Sequence, residues 1–79
     1  MSDGVSILFS RHALMKLEQR KLTKEMVART ILGPSYLTTA SDNKFHAFRK
    51  FGKRYLKVIF ARTGNNVIVI TQYFVRKLP

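Results

Sequence analysis

The sequence predicts an α+β fold in which an N-terminal strand and a helical hairpin pack on one face of a four-stranded antiparallel meander. Two patterns indicate this fold. Between residues 11 and 32 apolar side chains recur at helical spacing, whereas from residue 36 onward they alternate with polar ones, as in half-buried strands. Gly33-Pro34 separates the two regions. We expect all 79 residues to form one domain, residues 1–79.

Charge is the strongest compositional signal. The chain has 15 Lys and Arg against 4 Asp and Glu, a formal net charge of +11. Such a charge attracts polyanions, most commonly nucleic acid. An acidic protein partner that neutralises the charge is the alternative, and the two interpretations are compatible with each other. Cysteine is absent, which suits a reducing cytoplasm. The N-terminus lacks a signal-peptide pattern and no apolar run approaches roughly 18 residues, so we expect a soluble cytoplasmic protein without a membrane partner.

The N-terminal half predicts a strand and the first helix. Val5 to Phe9 is an apolar run typical of an edge strand, and Ser10 is a suitable N-cap for a helix from Arg11 to Arg20. One stripe of this helix is apolar and another is basic or polar. The apolar stripe is Ala13, Leu14 and Leu17, and the other is His12, Lys16, Gln19 and Arg20.

The second helix follows a very short joint. Thr23 is the predicted N-cap and Glu25 suits the positive end of the helix. Gly33-Pro34 ends the helix, because glycine suits the left-handed position after a helix and proline cannot continue it. The predicted buried stripe is Met26, Val27, Thr30 and Ile31.

The last two strands form the clearest hairpin, Tyr55 to Arg62 and Val67 to Phe74. A three-residue loop, Gly64-Asn65-Asn66, is predicted because a two-residue loop would shift the register and bury Lys57. The expected pairs are Lys57 with Tyr73, Ile59 with Thr71 and Phe60 with Ile70. The expected core side is Leu56, Val58, Phe60, Ile68, Ile70 and Phe74, interrupted by Arg62 and Gln72.

Two strands precede this hairpin, Tyr36 to Ala40 and Lys44 to Phe51, joined by a turn at residues 41–43. A three-residue loop at residues 52–54 would set Arg49 opposite Lys57. Arg49, Lys57 and Tyr73 would then form a row across three adjacent strands. His46 shares the parity of Phe48 and is expected to face the core as a structural residue.

Most conventional enzyme chemistries are excluded. The four acidic residues are scattered, so neither a two-metal nuclease nor a paired-carboxylate hydrolase is credible. Two histidines without cysteine do not complete a zinc site. Cleavage of RNA through its own 2′-hydroxyl remains, because it requires only a proton acceptor, a proton donor and cations that stabilise the phosphorane. Neither a metal nor a cofactor is expected.

Two segments resemble a known family. The run His12-Ala13-Leu14-Met15-Lys16-Leu17-Glu18-Gln19-Arg20, followed by Leu22-Thr23-Lys24-Glu25-Met26-Val27, resembles the "HAxxRxxxR, then I-[ST]-x-E-x-V" opening of a family of small uncharacterised prokaryotic proteins. The run Tyr55-Leu56-Lys57-Val58-Ile59-Phe60, followed by Val69-Ile70-Thr71-Gln72-Tyr73, resembles the closing hairpin of that family with its "iiTxY" strand.

This family is grouped by fold with the barnase, EndoU, colicin and RelE-like ribonucleases, many of which are toxins paired with small acidic antitoxins. The resemblance therefore implies a RelE-like fold. His12, Arg20, Thr71 and Tyr73 match the family pattern. Lys16 stands where arginine is usual, which keeps the charge but loses the planar fork that binds phosphate through two hydrogen bonds.

The leading hypothesis is a metal-independent RNA endonuclease, the toxin of a toxin-antitoxin pair, with RNA and a small acidic antitoxin as partners. Lys57 and Arg49 would stabilise the phosphate, and His12 and Tyr73 would transfer protons. Further basic residues would contact phosphates without reading sequence. These are Lys16, Arg20, Lys50, Lys53, Arg54, Arg76 and Lys77.

Two alternatives remain open. A non-catalytic RNA- or DNA-binding module would use the same basic face. A protein-interaction domain would use the basic surface or an exposed strand edge to bind an acidic partner. Each candidate side chain also has an ordinary structural explanation: His12 could cap the helix, Lys57 could be solvent-facing, and Tyr73 could pack its ring while its hydroxyl reaches water.

Overall fold

A computed structural model describes residues 5–79, which form two helices and five strands. The elements in chain order are β1 Ser6–Phe9, α1 Arg11–Gln19, α2 Lys24–Leu32, β2 Tyr36–Thr39, β3 Lys44–Phe51, β4 Arg54–Thr63 and β5 Asn66–Val75. The strands form one sheet in the order β1-β5-β4-β3-β2. Strands β2 to β5 are an antiparallel meander, as predicted, and β1 is the predicted edge strand. Its pairing with β5 is parallel, so the α+β fold has a mixed five-stranded sheet.

Both helices begin where the sequence predicts. The Ser10 hydroxyl accepts a hydrogen bond from the backbone N–H of Ala13 at 3.0 Å, and the Thr23 hydroxyl accepts one from Met26 at 3.1 Å. Each helix has nine residues. Neither of these helices, the two in the described part of the chain, is long and apolar enough to cross a membrane.

The core lies between the helices and one face of the sheet. Ala13 and Leu17 of α1 and Val27 and Thr30 of α2 are buried against it. The prediction that Leu14 belongs to this stripe is wrong, because Leu14 is 43% exposed. The sheet side of the core comprises Ala47, Leu56, Val58, Phe60, Val67 and Val69. We call the opposite side of the sheet the uncovered face, because neither helix packs on it.

In the last hairpin the strand pairs far from the loop are the predicted ones, although the loop itself differs from the prediction. Thr63 pairs with Asn66, so the loop is the two residues Gly64-Asn65 rather than three. A register shift between Ile59 and Phe60 then leaves Ile70 as an extra, unpaired residue, a β-bulge. The bulge restores the predicted pairs Lys57 with Tyr73 and Ile59 with Thr71.

Between the bulge and the loop, the predicted register is wrong. Phe60 pairs with Val69 instead of Ile70. Val67 and Val69 therefore face the core, whereas Ile68, which was expected there, is 36% exposed. A shift of one residue reverses every side chain of a strand, which explains why this half of β5 is inverted relative to the prediction.

Candidate functional site

A row of four aligned side chains crosses the uncovered face. Tyr36 of β2 pairs with Phe48 of β3, Phe48 pairs with Lys57 of β4, and Lys57 pairs with Tyr73 of β5. Directly paired residues of antiparallel strands point to the same face, so all four side chains lie side by side. We call this set the cross-strand row. It places one cation among three aromatic rings.

Lys57 lies between two of those rings. Its Nζ is 5.6 Å from the ring centroid of Phe48 and 5.6 Å from that of Tyr73. Both distances are within the range of a cation–π interaction. Phe48 is only 3% exposed, although no helix covers it. Its ring is flanked by Lys57 and by Tyr36, whose ring centroid lies 5.9 Å away.

The next row of paired residues brings a histidine to the uncovered face. His46 pairs with Thr38 on one side and with Ile59 on the other, and Ile59 pairs with Thr71. Burial, and next the positive charge of Lys57, lower the pKa of His46 below its ordinary value of 6.5. His46 is thus neutral near pH 7 and able to accept a proton. The prediction that His46 faces the core is wrong, since it shares a face with Lys57.

Helix α1 reaches this face around the β5 edge. The ladder between β1 and β5 ends at the pair Phe9–Val69, so beyond Val69 β5 pairs only with β4 within residues 5–79. There Arg20 donates a hydrogen bond from Nη1 to the backbone carbonyl of Gln72 at 2.7 Å. Its guanidinium carbon is 5.7 Å from the centroid of the Tyr73 ring. The predicted helix stripe and the strand row therefore meet at Arg20 and Tyr73.

The other two site candidates on that stripe are Lys16 and His12, which precede Arg20 on α1. Lys16 is half-buried and donates a hydrogen bond from Nζ to Oε1 of Gln19 at 3.1 Å. His12 is exposed in the first turn of α1. It precedes Arg20 by eight residues, roughly 12 Å along a helix axis. No contact brings His12 to Lys57 within residues 5–79.

The predicted pairing of Arg49 with Lys57 is wrong. The turn after β3 has two residues, Gly52-Lys53, and Arg49 pairs with Leu56 on the helix side. There Arg49 donates a hydrogen bond from Nη1 to the carbonyl of Gly33 at 2.6 Å, at the end of α2. Gly33 itself has φ −142°, so the left-handed conformation expected for it is also wrong. A Cβ on Gly33 would lie 2.9 Å from Nη1 of Arg49, so a larger residue there would require the end of the Arg49 side chain to move.

The remaining basic candidates lie around the β3–β4 turn and the end of β5. Lys50 is exposed on the uncovered face opposite Tyr55, and Lys53 is exposed in the turn. The guanidinium carbon of Arg54 lies 4.1 Å from the centroid of the Phe74 ring. Arg76 and Lys77 are exposed after β5. All five positions lie at the same end of the sheet, because Lys50 pairs with Tyr55 and Tyr55 pairs with Val75. Of the strand residues among them, Lys50 shares the face of Lys57, whereas Arg54 lies on the helix side.

Sequence reasoning missed three members of this surface: Tyr36, and His46 and Phe48, which were expected to face the core. The signal was present, because His46 alternates in phase with Phe48. When the turn after β3 has two residues, Gly52-Lys53, this alternation sets His46 and Phe48 on the face of Lys57. Gly52 has φ +69°, which suits the first position of such a turn.

The residue types limit the chemistry. No group of three or more His, Asp or Glu residues that could hold a metal ion occurs within residues 5–79. The uncovered face instead offers an imidazole, a phenol and cations in neighbouring positions. These groups can bind a phosphate and transfer protons.

Sequence comparisons agree with the small-family resemblance in its coarse form. A family profile described as "Domain of unknown function (DUF4258)" matches residues 9–74. No curated protein and no solved structure matches the chain. The matched segment runs from the last residue of β1 almost to the end of β5 and contains the whole cross-strand row. The chain belongs to the DUF4258 family.

Proposed function

We propose that this protein is a metal-independent RNA endonuclease that acts at the uncovered face, and that it is the toxin of a toxin-antitoxin pair. The observation that carries the proposal is the position of Lys57. It lies between two aromatic rings, directly opposite Tyr73 and close enough to His46 to lower the pKa of that imidazole. A cation flanked by two proton-transfer groups is what cleavage through the 2′-hydroxyl requires.

The spacing of the strands suits an RNA phosphate above Lys57. His46 and Tyr73 belong to β3 and β5, which lie on the two sides of β4. Two strand spacings and an offset of two residues along the strands separate their backbones by roughly 12 Å. The attacking and leaving oxygens stand on opposite sides of phosphorus in an in-line displacement. Groups approaching from two sides of Lys57 match that requirement.

In this mechanism the 2′-oxygen attacks the adjacent phosphorus and the bond from phosphorus to the 5′-oxygen breaks. Neutral His46 accepts the proton of the 2′-hydroxyl, and the phenol of Tyr73 donates a proton to the departing 5′-oxygen. Lys57 stabilises the additional negative charge of the phosphorane. Arg20, fixed on the β5 edge by its bond to Gln72, supplies a second positive charge beside Tyr73. The products are a 2′,3′-cyclic phosphate and a 5′-hydroxyl.

This assignment replaces two of the predicted catalytic residues. Arg49 is hydrogen-bonded to the carbonyl of Gly33 at the end of α2, and His12 lies one helix length from Arg20. His46 takes the proton-acceptor role and Arg20 takes the role of second cation. Lys57 and Tyr73 keep the roles that the sequence predicts for them.

The cleavage assay uses purified protein, single-stranded RNA and a chelator such as EDTA. We expect cleavage to continue in EDTA and to leave cyclic phosphate ends. The matched control is the same oligonucleotide with one 2′-deoxy sugar at the cleaved position, which should be resistant there. RNA that stays intact at every concentration of protein would contradict the proposal.

The toxin role is tested in cells. The net charge of +11 supports an acidic protein as the neutralising partner. We expect induced expression to stop growth and to deplete messenger RNA, and we expect a short reading frame for an acidic protein beside the gene. Growth unaffected by a folded, abundant protein would contradict the toxin role without bearing on cleavage in vitro.

A second candidate function is RNA binding without cleavage. The observation that favours it is the exposure of aromatic rings on a basic sheet face. Tyr36 is 42% exposed, and Tyr55 and Tyr73 are half-buried on the same face. Such rings stack with unpaired bases. Salt-sensitive RNA affinity together with intact RNA in the cleavage assay would support this candidate.

A further inference from the structure

The helix-covered side of the sheet is only partly covered. Each helix has nine residues and spans roughly 13 Å. β4 and β5 have ten residues each and span roughly 33 Å. Helix α2 ends at Leu32, and beyond it the sheet carries apolar side chains that neither α1 nor α2 covers. We call this region the distal groove, which is lined by Leu32, Leu37, Phe45, Phe60, Arg62 and Val67.

The distal groove is apolar and open. Its floor includes the stacked rings of Phe45 and Phe60, whose centroids are 5.4 Å apart. Leu32 and Leu37 at its sides are 70% and 50% exposed. The groove encloses about 200 Å³, less than the roughly 300 Å³ at which small-molecule pockets begin. Its dimensions therefore suit a protein surface better than a small ligand.

The groove crosses the whole sheet. Leu37 is in β2, Phe45 in β3, Phe60 in β4 and Val67 in β5. Val5, just before β1, and Ile31 of α2 also line the groove. Four strand spacings make roughly 19 Å. A helix of about 13 residues has the same length. A helix would also continue the layer that α1 and α2 form on this side.

A partner strand added to the β2 edge fits less well. It would pair with the outward backbone groups of β2 and could cover Leu37. It would leave Phe60 and Val67, two strands or more away, uncovered. The position of the apolar floor therefore favours a helix laid across the strands.

Charge selects the kind of helix. Arg62 is the one charged side chain that lines the groove within the described residues. The rest of the protein carries a large excess of positive charge. An acidic outer face would complement this field, and a basic one would be repelled.

We propose that the distal groove binds an amphipathic acidic helix of a partner protein, with apolar residues at i, i+3, i+4 and i+7 directed into the groove. The groove and the cross-strand row lie on opposite sides of the sheet. The inference thus goes beyond the proposed RNA cleavage and does not depend on it. A helix bound here leaves the uncovered face open to RNA.

The experiment selects binders of the whole protein from a displayed library of helical peptides and measures their affinity. Two double variants are compared, both of exposed apolar residues. Leu32→Gln with Leu37→Gln alters the groove, and Leu14→Gln with Met15→Gln is the matched control on α1, where these residues are 43% and 52% exposed. Thermal unfolding of each variant establishes that it is folded.

We expect the selected peptides to be acidic, to be helical when bound and to lose affinity with added salt. The groove variant should weaken their binding about tenfold or more, and the control variant should leave it unchanged. Binders that ignore the groove variant, that bind in an extended form, or that fail to appear would overturn the proposal. So would a dimer that the groove variant dissociates, or binding that appears only after residues 1–4 are removed, because the occupant would then be a second copy or the chain's own N-terminus.

Discussion

Lys57 lies directly opposite Tyr73 across β4 and β5, with its Nζ 5.6 Å from the centroid of the tyrosine ring. This relationship depends on one extra residue in β5. Without the bulge at Ile70, the two-residue loop would set Lys57 opposite Gln72, and the side chains of Lys57 and Tyr73 would point to different faces. The bulge therefore links the shape of the hairpin to the composition of the candidate site.

The two histidines give a direct comparison of proton-transfer roles. We expect His46→Gln to slow RNA cleavage by about 100-fold, because general base catalysis contributes roughly that much or more. His12→Gln should have little effect, because His12 is in the first turn of α1, away from Lys57. The measurement is the single-turnover cleavage rate at pH 7. Loss of cleavage in the His12 variant alone would contradict this assignment and would indicate that His12 of α1 transfers the proton.

Acidification should destabilise the protein through His46. Its pKa is lowered in the folded state, by burial first and by Lys57 second. The unfolded chain, with an ordinary histidine, therefore binds the proton more readily. The contribution of His46 to stability is complete above about pH 6.5 and decreases as the pH falls from there toward the lowered pKa.

The test is the thermal midpoint between pH 5 and pH 8, together with the NMR titration of the two imidazoles. Lys57, on the neighbouring strand β4, is the charged side chain that lowers the pKa of His46. His46→Gln should flatten the pH dependence of stability in this window. Lys57→Met should move the pKa of His46 partly back toward 6.5. A His46 pKa at or above its ordinary value of 6.5 would contradict the expected direction.

Gln72 joins α1 to the sheet at a fully buried position. It is 0% exposed, and its Nε2 donates a hydrogen bond to the carbonyl of Ala13 at 2.9 Å. Its Oε1 has no partner within the described residues. Gln72→Glu should reduce the free energy of unfolding by about 3 kcal/mol or more, because it removes the donor and buries a charge.

Gln72→Met is the matched variant. It loses the hydrogen bond but also removes the unpartnered oxygen, so we expect a change of at most about 1 kcal/mol. Denaturant unfolding measures both variants. Equal stability of the Glu and Met variants would contradict the burial of this side chain.

Arg49 should be a structural residue. Arg49→Met removes the hydrogen bond to the carbonyl of Gly33 and should cost about 1 kcal/mol of stability. Gly33→Ala should have a similar effect, since its Cβ would displace the Nη1 group of Arg49. In the double variant the two effects should not add, because both break the same contact. Cleavage by the folded variants should remain at the wild-type rate, and a large loss of cleavage in Arg49→Met would restore its predicted catalytic role.

The sequence predicts element types well because the periodicity of each segment is local. The N-caps Ser10 and Thr23, strand β3 and the meander order are all confirmed. The errors arise at the two hairpin turns, where the numbers of loop residues were each overestimated by one. In the last hairpin the bulge compensates, so Lys57 still pairs with Tyr73. In the preceding hairpin nothing compensates, and Arg49 lies on the opposite face from the one predicted.

Tertiary contacts account for the rest. The parallel pairing of β1 with β5 joins residues sixty apart and leaves no local pattern. The contact of Arg20 with Gln72 and Tyr73 depends on where β1 ends, which apolar runs do not reveal. Tyr36 and His46 were missed because their face follows from the turn after β3.

The most direct test of the account is the cleavage rate of Lys57→Met compared with that of Lys53→Met. Both variants remove one lysine charge from the same strand region, but Lys53 is exposed in a turn and Lys57 lies within the cross-strand row. The account predicts a loss of about 100-fold or more for Lys57→Met and a change within about twofold for Lys53→Met. Equal rates for the two folded variants would contradict a catalytic site at Lys57.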